Sequence, residues 1–145
     1  MENAEDLLRK LYAAFNARDL EGTLTAMHPN VEWPNGMEGG IVHGHSGVRQ
    51  YWTRQWGMID PHVEPVRFRQ DKDGRTVIAV HQVVRDLGGT VLVDQMIEHI
   101  YTFENGVIRR WRFARWMGRA ARWRRPYLSF TSCIPMILAP VRNFL

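Results

Sequence analysis

The sequence predicts an α+β domain in which helices come first and an antiparallel meander follows, in the order ααβαββββ. Three observations carry that expectation. Apolar residues recur at helical spacing near the N-terminus, with Leu7, Leu11 and Phe15 four apart and Leu8 and Tyr12 beside them. After Pro61 the chain turns rich in Val, Ile, Tyr, Phe and Trp, the composition of strands. The dipeptides Asp73-Gly74, Gly88-Gly89 and Asn105-Gly106 divide that second half, and each tolerates the positive φ of a tight hairpin.

A first helix is expected over Ala4–Arg18, capped by Asn3, with Asp6 at its third position. Asp19 caps a shorter helix, Leu20–Met27, which Pro29 ends. Val31–Trp33 reads as a short strand. The segment Pro34–Gly44, with Gly36, Gly39 and Gly40, reads as a mobile loop. Ser46 is expected to cap a third helix carrying Val48, Tyr51, Trp52 and Gln55. Four strands then follow, Val63–Arg69, Thr76–Arg85, Thr90–Glu104 and Val107–Trp116, each joined to the next by a two-residue turn.

Length and charge set the outer bounds. The 145 residues suit one domain, 1–116, followed by an atypical tail, 117–145. Residues 1–108 hold 10 Lys and Arg against 15 Asp and Glu, a net −5, whereas residues 109–145 hold 9 Arg and no acid. The body is therefore acidic, and nucleic-acid binding by the main domain is not expected. The tail, with Arg119, Arg122, Arg124 and Arg125 clustered, reads as a solvated basic segment, with weak membrane association as the alternative. Its apolar stretch Tyr127–Val141 is short of the about 20 residues that span a bilayer. The single cysteine, Cys133, excludes an internal disulfide framework and a cysteine zinc site. The acidic first residues do not read as a signal peptide, so a cytoplasmic protein is expected. His43 and His45 have H-x-H spacing without an acidic partner, and no metal site is expected there. Ser46 in Gly44-His45-Ser46-Gly47-Val48 lacks the final glycine of a nucleophile elbow.

Four strings resemble the SnoaL-like polyketide cyclases, within the ketosteroid-isomerase and nuclear-transport-factor-2-like superfamily. They are Leu11–Asp19 (LYAAFNARD), Met27–Trp33 (MHPNVEW), His43–Val48 (HGHSGV) and Tyr101–Ile108 (YTFENGVI). The resemblance spans about residues 5–115. It implies a cone-shaped curved antiparallel sheet wrapped around three helices, open at one end to an apolar ligand. It also implies a homodimer joined through the sheet and cofactor-free acid/base chemistry of the isomerase or cyclase kind. As the strings align, the isomerases' aspartate base falls on Trp33. Their tyrosine falls on Leu11, with Tyr12 beside it, and their protonated aspartic acid on His99. None of the three is retained, which argues against steroid isomerisation by that mechanism. The polyketide cyclases' use of an aspartate as acid/base brings Asp94 into consideration.

Strand parity supplies the remaining candidates. His99 shares a face with Val93, Gln95, Ile97, Tyr101 and Phe103, and is the first catalytic candidate, because imidazole titrates near neutrality. His81 is expected on the cavity face of the preceding strand. Asp94 is expected on the opposite face from His99 unless a bulge intervenes. Gln95, Tyr101, Trp111 and Phe113, with Trp33, Trp52 and Trp56 from the other elements, are expected to line an aromatic pocket for a small apolar or aromatic molecule. The rival reading is a non-catalytic ligand-binding or dimerisation module of the same fold.

Overall fold

The computed structural model describes residues 3–116. The expectations placed on the tail, residues 117–145, lie outside the described residues.

Helix α1 (Ala4–Asn16) begins where expected, with Asn3 Oδ1 accepting from the Asp6 N–H at 2.8 Å. It buries Leu8, Leu11 and Tyr12, one stripe three and four residues apart. It stops short of Arg18, which adopts φ 61. The Asp19 N–H reaches Ala14 O and the Arg18 N–H reaches Phe15 O, a Schellman closure. Helix α2 (Leu20–Leu24) is capped by Asp19 on the Gly22 N–H and ends earlier than expected, because the chain enters strand β1 (Met27–Pro34) at once.

The glycine-containing segment after Pro34 is not a bare loop. Asn35 Oδ1 accepts from the Met37 and Glu38 N–H groups, Met37 is buried, and strand β2 (Ile41–His43) pairs antiparallel with β1. Helix α3 (Gly44–Trp56) starts from His43, without a side-chain cap. Ser46 therefore sits inside the first turn of α3 and is not its cap. The helix buries Val48, Tyr51, Trp52 and Gln55.

Strands β3 (Asp60–Gln70), β4 (Thr76–Arg85), β5 (Val91–Glu104) and β6 (Val107–Arg115) form the expected antiparallel meander. Only Asn105-Gly106 is a two-residue turn, with φ 53 and 81. The other two connections are longer and alike. In 71–75, Asp71 Oδ1 accepts from the Asp73 and Arg75 N–H groups; in 86–90, Asp86 Oδ1 accepts from those of Gly88 and Thr90.

The curved sheet has six strands in the order β2-β1-β6-β5-β4-β3. It is mixed, because β1 runs parallel to β6. The expected all-antiparallel sheet is corrected at that one seam: a chain that returns through helices before the meander brings β1 beside the last strand in the same direction. The inner face packs on α1 and α3 to form the core, centred on Leu8, Trp52, Ile78, Val80, Ile97 and Ile108. Among the described residues no helix is long and apolar enough to cross a membrane.

Candidate functional site

The core leaves a small cavity, part of it open to solvent, between the sheet and helices α1 and α3. Helix α1 contributes Leu11, Tyr12 and Phe15; β1 contributes Trp33; α3 contributes Tyr51, Trp52 and Gln55. From the meander come Val63, Gln82, Ile97, His99, Tyr101, Trp111 and Phe113. No carboxylate, lysine or arginine is among the described residues that line it.

A hydrogen-bonded chain crosses its wall. The Tyr101 hydroxyl donates to Tyr12 Oη at 3.0 Å, and Tyr12 Oη lies 2.7 Å from His99 Nδ1. With Tyr101 as the donor, the rest of the proton inventory follows. Tyr12 oxygen receives the Tyr101 proton, so its own proton goes to Nδ1, and a neutral His99 ring then carries its proton on Nε2. The ring is indeed held neutral, since burial lowers its pKa from 6.5 to about 3. Burial likewise raises both phenols well above 10, so they remain hydrogen-bond donors. The Tyr12 ring stacks at 19° on His99 with centroids 5.8 Å apart, and Trp111 meets the imidazole edge-on at 4.9 Å.

Tryptophans make the remaining wall. Trp33 and Trp111 stack at 4.5 Å and 13°, Trp52 meets Trp33 edge-on at 5.0 Å, and Trp56 stacks on Trp52 at 5.8 Å. A further polar point stands on α3. Gln55 Nε2 donates to the Tyr51 hydroxyl at 3.3 Å, which also accepts the Gly36 N–H at 3.1 Å. Burial raises the Tyr51 pKa to about 12.

Of the residues expected at the site, His99, Tyr101, Trp33, Trp52, Trp111 and Phe113 come together on the cavity. Four do not line it. Trp56 lies behind Trp52, and Gln95 is turned to Gln82, donating at 3.0 Å. His81 and Asp94 are on the outer face of the sheet, bonded to each other at 2.6 Å. The placement of His81 on the cavity face is corrected by register: Ile78 stands opposite His99 and Gln82 opposite Gln95, so β4 turns Gln82 inward and His81 outward. No bulge carries Asp94 to the His99 side. His43 is exposed, and His45 Nε2 bonds Met27 O at 2.8 Å. Among the described residues no group of three or more His, Cys, Asp and Glu could hold a metal ion.

Sequence reasoning missed Tyr51, Gln55 and Gln82 as cavity residues and named Tyr12 only as the neighbour of Leu11. The signal for Tyr12 was present: it lies four residues after Leu8 on the buried stripe.

A family profile described as the SnoaL-like domain matches residues 8–111. The chain belongs to the SnoaL-like family. No curated protein matches it. Among solved structures it is similar to a nuclear-transport-factor-2-like protein of unknown function from Burkholderia pseudomallei, at 30% identity and TM-score 0.68. That match covers 78% of this chain and 90% of the other. It is also similar to TerC, which was co-crystallised with polyporic acid, at 30% identity and TM-score 0.65, over 74% and 87% of the two chains. A candidate polyketide cyclase from Sinorhizobium meliloti shares the fold at 17% identity and TM-score 0.62, over 74% and 93%. This SnoaL-like domain thus places an aromatic cavity with a Tyr–Tyr–His chain inside the cone.

Proposed function

We propose that this SnoaL-like protein binds a flat, mostly apolar molecule with an enolisable or polyketide-like carbonyl and acts on it without a cofactor, as an isomerase- or cyclase-type enzyme. The observation that carries the reading is the Tyr101–Tyr12–His99 chain in the wall of the aromatic cavity. Nε2–H of a neutral imidazole donates to the carbonyl oxygen and stabilises the enolate oxygen that forms as the neighbouring C–H proton passes to water or a buffer base at the open side of the cavity. The low basicity of the ring makes it a donor and not an imidazolium acid. Tyr12 and Tyr101 are positioning residues that fix the tautomer. TerC, crystallised with polyporic acid at 30% identity, supports a small-molecule ligand. On the same reading the molecule works as a homodimer through the outer face of the sheet, where the half-buried Val83, Met96 and Ile100 lie.

A second reading, a non-catalytic receptor, is favoured by the lack of a carboxylate base among the described lining residues. Exchange of the α-protons of tetralone in deuterated buffer, followed by NMR, separates the two. The enzyme reading expects exchange above the buffer rate and a fall of about a hundredfold in His99→Phe, the scale of losing an oxyanion donor. Binding of tetralone without exchange would leave the receptor. Exchange that survives His99→Phe would overturn the role of His99.

A further inference from the structure

Two buried polar atoms in the cavity wall have no hydrogen-bond partner, and they belong to different elements. Gln55, on α3, is 7% exposed and spends Nε2 on Tyr51, leaving Oε1 unpaired. Trp111, on β6, is 9% exposed; its Nε1–H meets no acceptor at hydrogen-bonding geometry, although it lies near enough to Tyr101 to temper the rise in that phenol's pKa. Native interiors rarely leave such groups unmet, and Gln55 and Trp111, unlike the equally unpaired Trp56 Nε1 behind the wall, line the cavity, where a ligand group can complete the pairing. The two have different demands. An indole N–H only donates, so it asks for an acceptor, as does His99 Nε2–H. The Gln55 amide end is answered by a hydroxyl whichever way the amide is turned, because a hydroxyl both donates and accepts.

We infer that Gln55 is a specificity residue that reads a ligand hydroxyl, while the Trp111 and His99 wall receives a carbonyl oxygen. The substrate class is then an uncharged hydroxy-ketone on a flat ring skeleton. The inference rests on the proposed reading of the cavity as a small-molecule site. The described lining offers no Asp, Glu, Lys or Arg to pair with a charged ligand group. Flatness follows from the stacked pair Trp33 and Trp111.

Titration calorimetry on the full chain tests it with three probes of one skeleton: tetralone with the carbonyl only, tetrahydronaphthol with the hydroxyl only, and ring-position isomers of hydroxytetralone with both. At least one hydroxytetralone isomer binds the wild type about tenfold tighter than either single-group probe. Gln55→Leu, or Gln55→Met should that variant misfold, collapses the advantage over tetralone to within about twofold. Trp111→Phe does the same to the advantage over tetrahydronaphthol. Equal affinity of all probes for the wild type, or a hydroxyl advantage that persists in both Gln55 variants, overturns the inference and leaves the cavity reading standing. No heat from any probe overturns both.

Discussion

His99 is a buried base kept neutral, and that has a measurable cost in acid. Unfolded, the imidazole binds a proton near 6.5; folded, it does so only near 3. Stability is therefore unaffected by this group above about 6.5 and is lost as pH falls from there towards 3, by up to about 1.4 kcal/mol per pH unit. At pH 5 the wild type should have lost about 2 kcal/mol to this residue alone. Urea unfolding of wild type and His99→Gln at pH 7 and pH 5 checks it: the variant should show the smaller drop. The sequence marked His99 as the first catalytic candidate because imidazole titrates near neutrality. It set Tyr12 beside the apolar stripe of α1 and Tyr101 on the face of His99, but it did not show that the two phenols meet. Tyr12 and Tyr101 are 89 positions apart, and only the packing of α1 against β5 brings their hydroxyls to 3.0 Å.

At the scale of the element, Arg18 shows how a turn is held by something other than its favoured residue. Its φ of 61 is a position where glycine is at ease and an L side chain is strained. The side chain compensates by donating to Phe15 O at 3.1 Å and Pro61 O at 2.8 Å and by pairing with Asp60, which ties the end of α1 to β3. Arg18→Ala forfeits those contacts and keeps the strain; Arg18→Gly forfeits the contacts alone. The alanine variant should be less stable than the glycine variant by about 1 kcal/mol, read from denaturant midpoints. Strand faces show where legibility stopped. β4 is apolar on both sides through Val77, Ile78, Ala79 and Val80, so alternation could not say which face was inward. The hairpin could: a turn centred on Gly88-Gly89 sets Ile78 against His99, the observed pairing, and hence Gln82 inward and His81 outward. The two Asp-led connections, 71–75 and 86–90, were legible only as turns, because their length depends on an aspartate gathering two N–H groups.

For the whole molecule, the expected pairing of two copies through the outer sheet face makes a definite claim about mass. Light scattering behind size exclusion should give twice the chain mass, and Met96→Arg, on that face opposite His81, should give the monomer. The α+β class and the meander were readable from local patterns. The parallel seam between β1 and β6 was not, since β1 reads locally as three residues and joins a strand about 80 positions later. The family strings supplied the cone that periodicity could not. One feature of the cavity wall also gives the molecule an optical signature. Trp33 and Trp111 lie almost parallel at 4.5 Å, with Trp52 edge-on to Trp33. Indoles that close share their excited states, so their absorption splits into a circular-dichroism couplet of opposite signs. A guest that wedges the stack apart would dim that couplet, and the protein would announce its own occupancy without a label.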